Sequence, residues 1–195
     1  MIARPASRRR LLGAALAAMA ATLSQRDRRT LAVGSIPTAL AIPAIGVDAP
    51  VEVRTTVDGT MQDPTGAWVA AWYDDSARPG TGGNAVFAGH VDDPAGGGPA
   101  LFSRLHELGR GDAIAVRGQD GVTWRYRVLW HRSYPAAGGP IWVELTGPTT
   151  GEAVTLITCA GEWDAAAGTY RDRLVVRAAK VATDRPGDVP AHPRS

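Results

Sequence analysis

The chain has 195 residues, of which 45% are hydrophobic, and a formal net charge of +2. This length is typical of one folded domain with short flanking segments. Residues 1–30 contain seven arginines and one aspartate, so the remainder holds 14 basic against 18 acidic residues, a net charge of −4. A mildly acidic folded part gives no support to nucleic-acid binding, which needs basic residues clustered on the folded surface, and we expect no nucleic-acid partner.

The N-terminal segment has the pattern of a targeting sequence. Four arginines precede an apolar run over residues 11–23, which is nearer to a signal-peptide core than to the roughly 20 residues that span a bilayer. Ala18-Met19-Ala20 is a small-residue cleavage motif, and Ser7-Arg8-Arg9-Arg10 touches the twin-arginine pattern. We expect residues 1–23 to be a signal peptide or a membrane anchor, and residues 24–38 to be a linker.

The first half of the remaining sequence consists of short β-like segments separated by turn residues. Residues 42–53 predict an opening strand with a bend, and Val57-Asp58-Gly59-Thr60 predicts a turn. Residues 67–72 and 84–90 predict two further strands, with His90 at the end of the second.

The second half continues this pattern. Residues 100–105 have helical spacing, and the segments 113–117 and 122–131 flank Gln119-Asp120-Gly121, a hairpin signal. Two β-branched runs follow at 154–159 and 174–181, and residues 183–195 are expected to be a flexible tail. Many short strands with little helix predict an all-β closed barrel or sandwich. A small closed barrel has no open edges and offers a rigid groove on its outer wall.

Cys159 is the only cysteine, and it ends the strand-like run Thr155-Leu156-Ile157-Thr158-Cys159. A lone cysteine forms neither an internal disulfide nor a thiolate-rich metal site. It is therefore a packed core residue, a redox thiol, an intermolecular bridge or a nucleophile. The four scattered histidines show no metal-ligand spacing, so we expect no metal and no cofactor.

Acyl transfer by cysteine needs a thiolate, a proton donor for the leaving amine, and positive charge or N–H groups at the oxyanion. Cys159 supplies the first, His90 the second and Arg173, before the last apolar run, the third. Such groups meet in space rather than in sequence. His106 and His131 are alternative bases, and Arg171 is an alternative cation. Each residue also has an ordinary interpretation, as a core cysteine, a surface histidine or a solvated arginine.

The sequence over residues 42–181 resembles the sortases, the transpeptidases of Gram-positive cell surfaces. The motifs that carry the resemblance are Ala88-Gly89-His90, the run ending in Cys159, and Arg173 before the final apolar strand. The longer run over residues 83–92 and Gly98-Pro99-Ala100-Leu101-Phe102 are most similar to the class F sortases of actinobacteria.

The resemblance implies a fold and an activity. The fold is a closed eight-stranded sortase-type β-barrel with one or two short helices, expected over residues 39–182. The enzyme would cleave a Leu-Pro-x-Thr-Gly sorting signal between Thr and Gly through a thioacyl-enzyme on Cys159. By the same resemblance His90 is the general acid and base, and Arg173 holds the substrate and the oxyanion. Thr158 is a substrate-binding candidate, although in a regular strand its side chain points away from that of Cys159.

The resemblance also implies partners and a location. The expected partners are surface proteins that bear sorting signals, and an amine nucleophile from a cell-wall peptide or a pilin. The enzyme would be extracytoplasmic at the cell surface, either secreted or held at the membrane by its N-terminal segment.

Unperturbed pKa values of about 8.5 for cysteine and 6.5 for histidine make the thiolate–imidazolium pair a minority of about one per cent near pH 7.5. We therefore expect a slow enzyme. Two rival interpretations remain from the sequence. One is an exported cysteine peptidase or L,D-transpeptidase-like enzyme, and the other is an inert surface binding module.

Overall fold

The computed structural model describes residues 34–137 and 140–181. The predictions for the leader, residues 1–23, and for the tail, residues 183–195, lie outside this part of the chain. The described part is almost entirely β-structure. Its strands are β1 Pro37–Ile42, β2 Val47–Arg54, β3 Thr56–Val57, β4 Thr60–Met61, β5 Ala70–Tyr73, β6 Asn84–Ala88, β7 Ala113–Gly118, β8 Thr123–Pro135, β9 Ala153–Asp164 and β10 Thr169–Lys180, and its α-helix is α1 Pro140–Thr146.

Eight of these strands close into a barrel in the order β1-β2-β5-β6-β9-β10-β8-β7. The pairs β2–β5 and β6–β9 are parallel, and the other barrel pairs are antiparallel. Strands β3 and β4 form a separate two-stranded hairpin. The predicted all-β closed eight-stranded barrel is confirmed.

Strand β9 shows why the sequence folds in this way. Val154 and Leu156 are fully buried in the main core cluster of the barrel. The next residue, Ile157, belongs to a second buried cluster on the opposite face of the strand, together with Leu145 of α1. A strand that is covered on both faces has an almost continuous apolar sequence. The second cluster therefore lies on the outer wall of the barrel, and that wall carries the candidate site.

The opening segment differs from its prediction. In place of one bent strand, β1 and β2 form an antiparallel pair joined by a 3-10 turn over Pro43–Ile45. Gly46 follows with a φ of 72°, a left-handed conformation that glycine adopts without steric cost, and this allows the chain to reverse. Strand β5 is also shorter than predicted, because it begins only at Ala70.

The helix predicted over residues 100–105 is wrong. The segment forms turns and then a 3-10 helix over Leu105–Glu107. The N–H groups of Ser103 and Leu105 donate to the carbonyls of Ala100 and Phe102, three residues back. These bonds close tight turns of the 3-10 type, whereas an α-helix needs bonds to the fourth residue back.

Two predicted turns are confirmed. Asp58 and Gly59 have φ values of 49° and 75° and join β3 to β4, as in a two-residue hairpin loop. The Asp120-Gly121 turn joins β7 to β8. Helix α1 was not located from the sequence, since its β-branched and aromatic residues have low helix propensity and only Pro140 at its start is a helix signal.

Candidate active site

A cavity of about 810 Å³ opens on the outer wall where β6, β9 and β10 carry the predicted residues. His90, Cys159 and Arg173 all line it. One wall comes from the β3–β4 hairpin and the segment after it, and another comes from α1. Wall residues include Thr60, Met61, Asp63, Pro64, Val143, Thr146 and Gly147.

Cys159 and Arg173 are direct cross-strand partners in the antiparallel pair of β9 and β10. Side chains of directly opposed residues lie on the same face of a sheet, with Cβ atoms about 4.5–5.5 Å apart. The sulfur and the guanidinium are therefore placed side by side by strand register rather than by a loop.

His90 reaches the same place through the parallel pair of β6 and β9. Ala88 is the register partner of Ile157, and the N–H of Gly89 donates to the carbonyl of Ile157 at 3.2 Å. His90 lies two residues beyond Ala88, as Cys159 lies two residues beyond Ile157. Because strand side chains alternate with a period of two, both point to the outer face.

Glycine is required at position 89 because the ring of Phe102 lies too close for a side chain, and not because of the backbone conformation. A Cβ atom at this position would lie 2.6 Å from the ring of Phe102. The absence of a side chain therefore lets the buried Phe102 pack directly beneath the segment that carries His90.

Arg173 is held by its own strand. Its Nη1 donates to the carbonyls of Tyr170 and Asp172 at 2.9 and 3.0 Å, and its Nη2 donates to the hydroxyl of Thr169 at 3.1 Å. The carbonyls become accessible where the β9–β10 register shifts between Tyr170 and Asp172. The Nε–H group forms none of these bonds and is left for a ligand.

Arg171 has different surroundings. Its guanidinium pairs with Glu162 at 3.3 Å and with Asp164 at 3.6 Å, and its side chain is 60% exposed. It is not among the residues that line the cavity. The structure therefore separates the two candidate arginines, with Arg173 in the cavity and Arg171 in a surface ion pair.

Thr158 is 4% exposed, and its hydroxyl donates to the carbonyl of Gly89 at 2.8 Å. This bond ties β9 to the segment immediately before His90. Thr158 also contributes to the cavity lining.

The alternative histidines lie elsewhere. His131 is on β8, and its Nδ1 lies 2.7 Å from the carbonyl of Leu108. His106 is exposed in the 3-10 turn. Neither lines the cavity. Within residues 34–137 and 140–181, no cluster of three His, Cys, Asp or Glu side chains is arranged to hold a metal ion.

The electrostatics of the cavity act on the thiol in both directions. Burial raises the pKa of Cys159 above its ordinary value, because a thiolate is poorly solvated there. The Arg173 guanidinium lowers the pKa, whereas the carboxylates of Asp63 and Asp92 raise it. The net effect is a raised pKa, so the resting cavity holds mainly the neutral thiol at neutral pH.

Two contacts of this site were not predicted from the sequence. The Nε2 atom of His90 lies 3.0 Å from the carbonyl oxygen of Pro64. The hydroxyl of Tyr170 donates to Asp92 at 2.6 Å and so joins the segment after His90 to β10. Asp92 stands in the run over residues 83–92, but no sequence signal pairs it with Tyr170, and a backbone carbonyl carries no sequence signal at all.

Comparison with known proteins gives a consistent result. The sortase domain family model matches residues 40–181. Sortase A from Corynebacterium diphtheriae is 26% identical, with a TM-score of 0.57, covering 95% of this chain and 75% of that one. Sortase C1 from Streptococcus agalactiae is 24% identical, with a TM-score of 0.56, covering 80% of this chain and 72% of that one. A Clostridium perfringens sortase D5 transpeptidase shares the fold at 17% identity and a TM-score of 0.55, covering 83% of this chain and 89% of that one. No curated protein sequence matches the chain.

The chain belongs to the sortase family, since the family model covers most of its length. Membership indicates a cysteine transpeptidase of the cell surface that acts on proteins with sorting signals. In the described part of the chain, no helix is long and apolar enough to cross a bilayer.

Proposed function

We propose that the cavity is the active site of a transpeptidase that cleaves a Leu-Pro-x-Thr-Gly-type sorting signal between Thr and Gly. Cys159 is the nucleophile, His90 the general acid and base, and Arg173 the group that binds the substrate and the oxyanion. The observation that carries this proposal is the convergence of the three side chains on one cavity, with Cys159 and Arg173 inside the paired strands β9 and β10 and His90 just beyond the end of β6.

The first half of the reaction forms a thioester. The Cys159 thiolate attacks the carbonyl carbon of the Thr residue, and the carbonyl π electrons move to oxygen. The free Nε–H and positive charge of Arg173 stabilise that oxyanion. When the intermediate collapses, the C–N bond breaks and the His90 imidazolium gives its proton to the departing Gly amine.

The second half restores the enzyme. An incoming amine loses a proton to the now neutral His90 and attacks the thioester carbonyl. Collapse of this intermediate breaks the C–S bond, forms the new amide and returns Cys159 as a thiolate beside the His90 imidazolium. Atoms and protons therefore balance over the cycle without a cofactor.

The raised pKa of Cys159 supports a slow enzyme. Because the thiol is mainly neutral at rest, only the fraction of molecules with thiolate and imidazolium together reacts. Alignment of the substrate in the cavity then supplies much of the rate.

The walls of the cavity offer apolar surface for the Leu and Pro residues that precede the scissile bond of such a signal. Met61, Val86, Val143 and Ile157 provide apolar surface in the same cavity as the three reactive groups. Thr158 would act at the base of this groove. Its bond to Gly89 also gives it a role in holding the His90 segment.

The finer assignments rest on sequence. The motif run over residues 83–92 favours class F within the family. Natural partners would be surface proteins with sorting signals, together with an amine of a cell-wall peptide or a pilin. Residues 39–182 would form the catalytic domain, and residues 1–23 would export the enzyme or hold it at the membrane.

A peptide-library transpeptidation assay tests the proposal. The protein is incubated with Leu-Pro-x-Thr-Gly peptides and an amine, and the new amide is detected by mass spectrometry. We expect no product from Cys159→Ala or His90→Ala, and a loss of about 10²- to 10³-fold in kcat from Arg173→Ala. Arg171→Ala is the matched control and should stay within a few-fold of the wild-type enzyme, because exposed ion pairs contribute little.

Three outcomes would count against the proposal. Hydrolysis without amide formation would favour a peptidase. A greater loss from Arg171→Ala than from Arg173→Ala would reverse the choice of arginine. Full activity of His90→Ala would remove the assigned acid and base.

A further inference from the structure

The imidazole of His90 is in contact with a backbone segment that the proposed reaction does not use. Its Nε2 atom lies 3.0 Å from the carbonyl oxygen of Pro64. A carbonyl oxygen only accepts hydrogen bonds, so Nε2 must carry the hydrogen in this arrangement. In the neutral ring Nδ1 is then the nitrogen with the lone pair, and it alone is able to take a proton.

Pro64 lies in a short strap, residues 62–66, between β4 and β5. No regular ladder holds the middle of this strap, and Pro64 has no N–H group to donate. Its first residue, Gln62, is anchored twice, because the N–H of Gln62 donates to the carbonyl of Thr55 and the carbonyl of Gln62 accepts from the hydroxyl of Tyr73 at 2.7 Å. The residue next to Pro64 provides the remaining anchor.

That residue, Thr65, is bound by one carboxylate at two points. Its backbone N–H donates to Oε1 of Glu52 and its hydroxyl donates to Oε2 of Glu52, both at 2.7 Å. Hydrogen bonds to a charged acceptor are shorter and stronger than those between neutral groups. Glu52 itself stands on β2, paired with Ala71 of β5, so the carboxylate is fixed to the barrel.

We propose that Glu52 and Thr65 are positioning residues that hold the Pro64 carbonyl against His90 and thereby keep the proton on Nε2 and Nδ1 free for the reaction. This inference rests on the proposed role of His90 as acid and base. The strap is continuous with the cavity wall, since Asp63 and Pro64 line the cavity together with His90. Release of the strap would let the ring turn and exchange tautomers, although no reacting group has been removed.

The structure excludes a simpler role for Glu52 as a surface partner of a basic side chain. Among the ion pairs of the described residues, none includes Glu52. Both of its oxygens bond to the same residue of the strap, and that residue is adjacent to the one that contacts His90.

The test combines spectroscopy and kinetics on the full chain, labelled with ¹⁵N-histidine. The chain has four histidines, and His90→Ala identifies the His90 ring signals by their loss. In the wild-type protein we expect the neutral His90 ring to carry its proton on Nε2. In Glu52→Ala we expect mixed tautomers and a kcat about 10- to 100-fold lower, with KM changed less than twofold.

Glu52→Gln is the conservative variant. Its amide oxygen accepts from the Thr65 N–H and its amide nitrogen donates to the Thr65 hydroxyl, so we expect the wild-type tautomer and nearly full kcat. Thr65→Val removes only the hydroxyl donor and should shift both measurements less, in the same direction as Glu52→Ala. Glu162→Ala, which removes an exposed carboxylate paired with Arg171, is the matched control and should change neither.

The outcomes separate this inference from the proposed function. A wild-type His90 ring protonated on Nδ1 would overturn the inference even if no variant folds. The inference would also be overturned if Glu52→Ala folds and keeps the wild-type tautomer and kcat while His90→Ala is inactive. If His90→Ala retains activity, the proposed acid and base is wrong, and the positioning role is lost with it.

Discussion

At the scale of single residues, the pKa of the Cys159 thiol depends on its burial and on the charges around it. Burial is the largest effect and raises its pKa, and Asp63 and Asp92 raise it further, while Arg173 opposes them. Since the thiolate is the reactive form, alkylation at neutral pH should be slow and should increase as the pH rises past the ordinary thiol range of about 8.5.

Charge substitutions should move this profile in predictable directions. Asp63→Asn removes a negative charge, so it should lower the pKa of Cys159 and shift the alkylation profile to lower pH. Arg173→Ala removes the stabilising cation and should shift it to higher pH. The rate of iodoacetamide alkylation measured across pH checks both. Glu162→Gln, whose carboxylate is 84% exposed and does not contribute to the shift, is the control. Profiles that do not move in either variant would contradict the electrostatic account.

The three side chains of the proposed site could be selected from the sequence for a physical reason. Cys159 is unique in the chain, and His90 and Arg173 adjoin strongly apolar strands, so each stands out against its neighbours. The contact of His90 with Pro64 was not accessible, because every residue has a carbonyl group. Only the three-dimensional path of the strap brings this particular carbonyl to the ring.

At the scale of elements, α1 forms a wall of the cavity, yet it is only seven residues long. The last carbonyl groups of a helix have no partner within the helix. Here they are met by side chains from the barrel. The Asn84 Nδ2 donates to the carbonyls of Leu145, Thr146 and Gly147 at 3.1–3.2 Å, and Arg177 donates to that of Leu145 at 2.7 Å.

Asn84→Ala should therefore destabilise the protein. The variant removes the amide donor from the last carbonyls of α1, with Arg177 still donating to that of Leu145, and it removes the buried Asn84 Oδ1 to which the Thr155 hydroxyl donates at 2.7 Å. We expect a loss of about 1–3 kcal/mol in the free energy of unfolding, measured by urea denaturation. Thr81→Ala removes an exposed local hydroxyl bond and should cost less than about 0.5 kcal/mol. Equal effects of the two substitutions would show that Asn84 does not anchor α1.

Helix α1 is an element that local sequence patterns do not predict. The carbonyl groups at the end of α1 accept hydrogen bonds from the side chains of Asn84 and Arg177, which are more than thirty residues away on either side. A short window of sequence around α1 therefore does not contain the residues that stabilise the helix. The β7–β8 hairpin was predictable because Asp120-Gly121 and its strands are contiguous. Barrel closure could not be predicted in this way, because β1 pairs with β7, which is distant from it in the sequence. From the residues alone a barrel and a sandwich remained equal alternatives.

At the scale of the whole molecule, the proposed active site and the start of β9 lie apart. Cys159 is the seventh residue of β9 and Arg173 the fifth of β10, and His90 lies two residues beyond the end of β6. At the start of β9 the barrel is closed around Glu152, whose side chain is 11% exposed. Its Oε1 accepts from the N–H of Gly80 and from the hydroxyl of Tyr126, both at 2.8 Å. Its Oε2 accepts from Lys180 at 2.6 Å. One carboxylate thus joins a loop and two strands.

The side chains of Tyr126 and Lys180 are fixed as hydrogen-bond donors to Glu152. Burial and the bond to Glu152 raise the pKa of the Tyr126 hydroxyl, so it stays protonated and donates. Lys180 forms an ion pair that is only partly exposed, in contrast to the pair of Arg104 and Glu107 on the surface. Removing one member of a buried charged cluster leaves the others without a partner, which costs more than the cluster itself contributes.

Glu152→Ala should therefore lower stability without harming catalysis. We expect a loss of about 3–5 kcal/mol in the free energy of unfolding. The kcat per folded molecule should be unchanged, because six residues of β9, about 20 Å, separate this end from Cys159. Glu107→Ala, which breaks the 2.6 Å surface pair with Arg104, should lower stability far less, because exposed ion pairs contribute little. Urea unfolding and transpeptidation below the melting temperature measure the two effects separately. Loss of activity in folded Glu152→Ala would mean that the barrel transmits strain from the start of β9 to the proposed active site, and that stability and activity are not independent.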